Sequence, residues 1–460
     1  MKEKIMELKR TIMVLTTIII LALTSGIFSY VWINIYSDSI ILPFYKKGNL
    51  LIMAIYVILL YAFTKVYSGY KVGYLRITEV IYSQVLSLLF TNIITYLQIS
   101  LIGRRFLNII PILIMTVVQI LLITLWTIIA NKIYYMLYPP RKMILVYENV
   151  ENISIMKKMN SRKEKFNIVS KVSIKNGVTN ICNMLSKYEA VVLSGINNED
   201  RRKIVNCCYE KNIRVYIIPS VEDILVSNSE TLHLFDTPIL LLRNKGLSPE
   251  NRFMKRLFDI LLSLIAIILV SPIMIVVAIS IKLYDGGPFL FKQRRLTIDG
   301  RVFEVYKFRS MIIDAEKDGV ARLASKNDNR ITPIGNFIRK VRLDELPQLF
   351  NILLGDMSIV GPRPERPEIA EQYIKSMPEF SYRLKVKAGL TGYAQILGKY
   401  NTTPRDKLLL DLMYIEKYSL FLDFKLILMT IKILFISEST EGVDEGSILA
   451  EEVVFTKDQD

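Results

Sequence analysis

The sequence predicts a membrane-bound protein in three parts: a membrane α-helical N-terminal bundle over residues 1–135, an α/β middle domain over 142–250, and an α-rich mixed domain over 252–437 that carries a re-entrant membrane helix. Three observations predict it. Four apolar runs fill the first third. Short apolar strands alternate with polar helical stretches in the middle. A fifth apolar run, interrupted by Ser271-Pro272, opens a densely basic C-terminal region. The 460 residues are 52% hydrophobic with a mean hydropathy of +0.34, yet the net charge is +16. Soluble globular proteins rarely combine the two; a membrane protein whose polar part meets anions does.

The four runs, Thr11–Trp32, Leu50–Thr64, Glu79–Ile102 and Ile109–Ala130, each approach the ~20 residues that span a bilayer. The first is too long for a signal peptide and lacks a small-residue cleavage site, so it reads as an anchor. Lys2, Lys4, Lys9 and Arg10 precede it, Lys65, Lys71 and Arg76 separate the second run from the third, and Lys132, Arg141 and Lys142 follow the fourth. The opposite side carries only Lys46, Lys47, Arg104 and Arg105. Positive charge on the inner side puts the N-terminus and everything after Ala130 in the cytoplasm.

Between Lys142 and Glu250, strands at Met143–Val146, Ala190–Leu193 and Arg214–Ile218 alternate with helices at Asn180–Lys187 and Glu199–Lys211, the rhythm of a small parallel α/β domain. A dinucleotide-binding version has a glycine-rich turn after its first strand. Here that turn reads Val146-Tyr147-Glu148-Asn149, which speaks against a nucleotide cofactor. Lys255 and Arg256 then precede the run Ile260–Ile281, and Lys282 follows it. Pro272 removes a backbone bond at its middle. With both flanks basic, a re-entrant helix returning to the same leaflet fits better than a full span. The final apolar helix, Leu420–Ile436, is expected to lie on the membrane interface. The acidic segment 438–460 lacks periodicity and is expected to be disordered.

Three cysteines and the lone His233 supply neither a disulfide framework nor a spaced metal set, so chemistry is expected to run on carboxylates. The densest cluster is Arg342-Leu343-Asp344-Glu345-Leu346-Pro347-Gln348, followed by Gly355-Asp356-Met357-Ser358 and Gly361-Pro362-Arg363-Pro364. Pro347 places the two acids at a helix start. Alone, the pair fits a plain N-cap and a first-turn acid better than a catalytic pair. Its surroundings add cations: Arg295, Lys307, Arg309, Arg342 and Arg363. Phosphoryl transfer needs a nucleophile, a divalent cation and cations for the phosphate oxygens. Arg363, fixed between two prolines, is the strongest phosphate contact.

These residues resemble a known family. Lys255-Arg256-Leu257-Phe258-Asp259, the Ser271-Pro272 break, Lys307-Phe308-Arg309-Ser310-Met311, Thr332-Pro333-Ile334-Gly335, Leu343-Asp344-Glu345-Leu346-Pro347-Gln348, the glycine and proline motifs above and Gly389-Leu390-Thr391-Gly392 recur in the order seen in bacterial sugar transferases, the monotopic polyprenyl-phosphate glycosyl-1-phosphate transferases. The likeness covers about Arg252–Ile436. The preceding part resembles the long form, with four spans and a Rossmann-like domain. The resemblance implies Asp344 as nucleophile, Glu345 as a magnesium (Mg2+) ligand, and Ser271 and Pro272 as the membrane re-entry. It implies a UDP-sugar donor, undecaprenyl phosphate as acceptor, UMP release, an anionic bilayer at the cytoplasmic membrane, and initiation of exopolysaccharide, capsule or O-antigen synthesis. Nucleic acid is not an expected partner, and a homo-oligomer stays open. The stretch Gly361–Pro367, with Tyr400-Asn401-Thr402 and Asp411-Leu412-Met413-Tyr414, resembles hexose-transferring members, pointing to glucose or galactose. Three departures stand out: Thr297 and Ala388 replace usual loop residues, and the middle domain lacks its glycine-rich turn. Two alternatives remain: a non-catalytic membrane scaffold that kept the fold, and a multi-span transferase whose helix Ile260–Ile281 crosses fully.

Overall fold

A computed structural model of the chain describes residues 2–40, 44–149, 153–242, 246–313, 315, 328, 330–398 and 402–434. The acidic segment 438–460 and the Tyr400-Asn401 pair lie outside the described residues. The chain forms two compact units, Met1–Ile218 and Pro219–Asp460.

The first unit opens with four helices, α1 (Lys2–Val31), α2 (Lys46–Val66), α3 (Ile77–Ile102) and α4 (Ile110–Leu137). All four are long and apolar enough to cross a membrane. Apolar contact between helices gives little drive in lipid, so buried hydrogen bonds matter more there. One network ties all four helices together. Tyr56 donates to Asn92 Oδ1 (2.9 Å), Asn92 donates to Thr116 (2.7 Å) and Gln119 (3.1 Å), and Gln119 donates to the Thr24 carbonyl (2.9 Å).

The α/β part follows as β1 (Arg141–Tyr147), α5 (Ser154–Asn160), β2 (Phe166–Ser173), α6 (Val178–Leu185), β3 (Ala190–Ser194), α7 (Asn198–Glu210) and β4 (Arg214–Ile217). Its four strands form a parallel sheet in the order β2-β1-β3-β4. The central strands β1 and β3 are buried on both faces, against Ile181 and Leu185 on one side and Met156 and Phe166 on the other. This is the parallel-sheet signature of continuous apolar runs. The edge strand β2 escaped the sequence reading because only Ile168 and Val172 of its eight residues are buried. The three cysteines are free thiols in this layer.

The second unit starts with α8 (Val221–Ser227) and the hairpin of β5 (Glu230–Leu234) and β6 (Thr237–Leu241). Ile224 of α8 and Leu247 pack into a core shared with Val360, Phe380 and Leu412. The long helix α9 (Pro249–Asp285) follows. It runs on through Ser271-Pro272, where the sequence suggested a break. Pro272 cannot donate to the Ile268 carbonyl, and the Ser271 hydroxyl does so instead at 2.9 Å, which lets the helix continue.

One face of α9 packs on its own unit from end to end. Lys255, Asp259 and Ser263 are buried near its start; Ala266, Ile267 and Val270 meet Phe303, Leu349 and Ile352; Val277 and Ile281 meet Phe308 and Ile338. The other face exposes Leu261, Ile265, Ile268, Leu269, Val276 and Leu283.

The remaining elements are β7 (Leu290–Leu296), antiparallel to β8 (Val302–Phe308), then α10 (Pro333–Lys340), a 3₁₀ turn (Leu343–Glu345), α11 (Gln348–Leu354), β9 (Ser358–Val360), α12 (Pro367–Ser376), a 3₁₀ stretch (Pro378–Lys385), β10 (Gly389–Thr391, parallel to β9), α13 (Tyr393–Leu397), α14 (Pro404–Glu416) and α15 (Leu420–Leu434). The last helix departs from the expected interfacial role. Asp423 and Leu426 are buried, and Thr430 bonds Thr391 at 2.6 Å, which makes α15 a core helix with only residues such as Phe421 and Phe424 exposed.

Candidate active site

The Lys255-Arg256-x-x-Asp259 motif at the start of α9 builds the floor of the site. Lys255 pairs with buried Asp423, which also accepts from Tyr414 at 2.8 Å. Arg256 donates to the carbonyls of Ile352 and Leu353 (2.6 and 2.7 Å), capping the C-terminus of α11. Gly355 then turns the chain at φ +99°, a conformation that suits glycine. Asp259 accepts from the Ser358 hydroxyl and the Ile359 N–H, both at 3.0 Å, and so anchors β9. Asn351 locks α11 to β8 by accepting from the Tyr306 N–H (2.9 Å) and donating to the Glu304 carbonyl (2.7 Å).

These contacts bring three chain segments together at the acidic pair. Asp344 and Glu345 lie in a 3₁₀ turn that precedes α11, with Pro347 as the cap residue, one step before the helix start expected from sequence. In such a turn successive side chains diverge by about 120°. Arg342, at φ +56°, starts the turn. Leu343 and Leu346 flank the acids and pack against the cluster of Val277, Ile281, Phe308 and Ile338, so the turn rests on the C-terminal half of α9.

Glu345 Oε1 accepts from Lys307 Nζ (3.1 Å) and Arg363 Nη2 (2.9 Å). Burial acts to raise the Glu345 carboxyl, but the charges of Arg363, Lys307 and Arg342 outweigh it and hold the group well below the usual carboxylate range. Asp344 accepts no hydrogen bond from a described residue. Burial, and then the Glu345 charge beside it, raise its carboxyl, while Lys307, Arg339 and Arg363 pull it back. The result is one carboxylate fixed between cations and one with its oxygens unengaged.

Arg295 stacks its donors on Gln293 Oε1 and the Pro364 carbonyl (3.1 Å), and burial and the Arg363 charge push it down to about 10. It therefore supports the Arg363 loop. Arg309 is not brought to the acids; it pairs with Asp285 at the far end of α9.

Sequence reasoning missed the group that positions Arg363. Buried Arg383 donates to Asp411 Oδ2 (3.0 and 2.7 Å) and to the Arg363 carbonyl (2.9 Å), and Glu365 lies 3.5 Å from Arg383 and 3.6 Å from Lys407. The Asp411-Leu412-Met413-Tyr414 stretch was noticed only as a resemblance, although it holds both Asp411 and Tyr414. Gly361, Gly389 and Gly392 let β9 and β10 touch backbone to backbone: a Cβ on Gly389 would lie 2.0 Å from the Gly361 nitrogen.

A carboxylate nucleophile beside a cation-held carboxylate suits phosphoryl transfer. Magnesium is commonly held by one or two carboxylates plus substrate phosphate oxygens. Glu345 meets that requirement, because its two cations share Oε1 and Oε2 accepts nothing from a described residue. Among the described residues no cluster of three or more ligating side chains occurs.

Residues 250–437 match the sequence model of a family described as bacterial sugar transferase. Over 235 residues, half of each chain, the protein is 38% identical to the UDP-glucose:undecaprenyl-phosphate glucose-1-phosphate transferase of Escherichia coli K12. It is 38% identical over 253 residues to the UDP-N-acetylgalactosamine-undecaprenyl-phosphate N-acetylgalactosaminephosphotransferase of Aeromonas hydrophila, covering 54% of this chain and 59% of that one. It is 36% identical over 235 residues, 48% of each chain, to the undecaprenyl-phosphate galactose phosphotransferase of Salmonella typhimurium LT2. The aligned stretches span about half the length of these relatives.

Proposed function

From the premise that the chain carries a bacterial sugar transferase domain over residues 250–437, we propose that it transfers hexose-1-phosphate from a UDP-hexose to undecaprenyl phosphate at the cytoplasmic face of the bacterial inner membrane. The observation that carries this reading is the unengaged Asp344 beside Glu345, which Lys307 and Arg363 hold. An Asp344 oxygen attacks the sugar-bearing phosphorus and the bridging P–O bond breaks. UMP leaves with the bond's electrons, and an acyl phosphate carrying the sugar remains on Asp344. An oxygen of the lipid phosphate then attacks the same phosphorus. Polyprenyl diphosphate sugar is released and the Asp344 carboxylate is restored. Lys307 and Arg363 meet the charge that develops on the phosphoryl oxygens. Glu345 would hold magnesium, which neutralises diphosphate charge when bound. Arg383 and Arg295 keep the Arg363 loop in place.

The packing of α9 supports a helix that does not cross. The segment Lys255–Ile281 rises about 39 Å, more than the ~30 Å hydrocarbon core, and elements of the second unit lie along all of it. A crossing helix would drag their polar groups into lipid. With one face on the domain and the other apolar and exposed, α9 sits at the membrane surface beneath the acidic turn, where a lipid phosphate meets a soluble nucleotide. The test is UMP release from a panel of UDP-sugars in the presence of undecaprenyl phosphate. UDP-glucose or UDP-galactose should turn over fastest; no release from any of them refutes the reading.

A further inference from the structure

We propose that Thr297 is a positioning residue for the phosphoryl-transfer centre: its buried hydroxyl ties the end of β7 to the start of β10 and so fixes the loop that presents Arg363 to Glu345. Thr297 directly follows β7 and precedes the short turn Ile298–Gly300. A threonine in such a place commonly bonds the backbone of its own turn; this one does not. It is turned into the core instead and is 1% exposed. Its hydroxyl donates to the Asp356 carbonyl at 2.8 Å and accepts from the Ala388 N–H at 3.2 Å. Thr297 and Ala388 are two of the positions at which the sequence departs from the family pattern, and they meet in this bond.

The residues beside this bond hold the Arg363 loop from two sides. On one side the Leu296 N–H donates to the Glu365 carbonyl at 3.0 Å and Arg295 donates to the Pro364 carbonyl at 3.1 Å. On the other the Gly389 N–H donates to the Pro362 carbonyl and the Gly361 N–H to the Thr391 carbonyl, both at 2.8 Å. Thr297 is the residue after Leu296, and Ala388 is the residue before Gly389. The Thr297 hydroxyl therefore joins the two holds to each other. The third segment it meets, Asp356, follows the glycine that ends α11, the helix entered from the Asp344-Glu345 turn. The Ala388 carbonyl accepts from the Ser358 N–H at 2.8 Å, so β9 is drawn into the same set of bonds. Arg363 Nη2 reaches Glu345 Oε1 at 2.9 Å only while the backbone beneath it keeps this place. Without the hydroxyl, the buried Ala388 N–H and the Asp356 carbonyl lose this partner. A buried donor without an acceptor is costly, and the backbone relieves it by shifting. That shift would fall on the loop.

This inference rests on the transferase reading. The test uses the full chain in nanodiscs, with UMP release as the assay. Thr297→Val keeps the side chain's shape and removes the hydroxyl. It should lower kcat about tenfold and leave KM for the UDP-sugar within about twofold of wild type. Thr297→Ala, which cannot crowd the site, should behave in the same way. Thr297→Ser keeps the oxygen and should return kcat to within about threefold of wild type. A loss that acts through Arg363 fades once Arg363 is itself altered. In an Arg363→Lys background, Thr297→Val should therefore lower kcat by less than about twofold. A merely structural role would repeat the full loss there. Independently of turnover, the Leu296 and Gly389 amides should exchange with deuterium at least about tenfold faster in Thr297→Val and Thr297→Ala, and at the wild-type rate in Thr297→Ser. Unchanged kcat in the valine and alanine variants, equal losses in both backgrounds, a serine variant as impaired as the valine one, or unaltered exchange would each overturn the assignment. No UMP release from wild type would instead refute the transferase reading, and the exchange rates would still decide whether Thr297 holds the loop.

Discussion

Replacing Lys307 with methionine should move the acid limb of the rate profile. Asp344 must be ionised to attack. Its carboxyl is raised by burial and by Glu345, so the active anion is lost as pH falls through a value above the ordinary ~3.9 of aspartate. Lys307 opposes that rise, and its side chain is 21% exposed, so solvent screens it only in part. An opposite charge within ~4–6 Å of a carboxyl typically holds its pKa down by about 1–3 units. Allowing for screening leaves about one unit. The acid limb of kcat/KM for UMP release should therefore shift upward by about one pH unit in Lys307→Met. On the plateau, loss of a cation from the phosphoryl oxygens should lower kcat by about 10²-fold. Stopped assays of UMP release between pH 4 and 8, on protein with unchanged thermal unfolding, give both numbers. A limb that stays in place while the plateau falls would refute the link between Lys307 and Asp344 ionisation.

Glu345→Gln should cripple turnover and weaken its dependence on added magnesium, measured as UMP release against magnesium concentration. Asp411→Ala leaves Arg383 buried without its main partner and should cost about 3–5 kcal/mol of stability, read as a fall in the unfolding midpoint. Full-length protein should show no saturable calorimetric binding of NAD, because the turn after β1 offers Tyr147-Glu148-Asn149 where close approach to a pyrophosphate calls for glycine. A single cysteine at Ser447, with Cys182, Cys207 and Cys208 replaced, should resist an impermeant thiol reagent applied to intact cells; labelling would mean that α9 crosses the membrane.

The helices of the first unit were legible because a bilayer demands long apolar runs, and α1 to α4 cover the four predicted stretches except for their end residues Trp32 and Ile109. The parallel sheet was legible through β1 and β3, whose runs Met143–Val146 and Ala190–Leu193 are apolar without interruption, but not through β2, whose edge position buries so little. At the site, Asp344, Glu345, Lys307 and Arg363 are adjacent because their motifs sit on a turn, a strand and a loop that α9 binds together. Local spacing did not tell Arg309, just past the end of β8, from Lys307 on that strand, although Lys307 meets Glu345 and Arg309 meets Asp285. Nor did it reveal Arg383, whose role depends on a pairing with Asp411 across 28 residues. Sequence periodicity reports which face of an element is apolar; it does not report which buried charges will meet.

The central claim is that Asp344 carries the sugar phosphate. Purified enzyme mixed with its UDP-sugar in the absence of lipid acceptor should release a burst of about one UMP per active site. Mass spectrometry of rapidly quenched protein should then place a hexose-phosphate adduct on the peptide containing Asp344, and Asp344→Asn should show neither burst nor adduct. No UMP without acceptor, or a burst that survives in folded Asp344→Asn, would contradict the account.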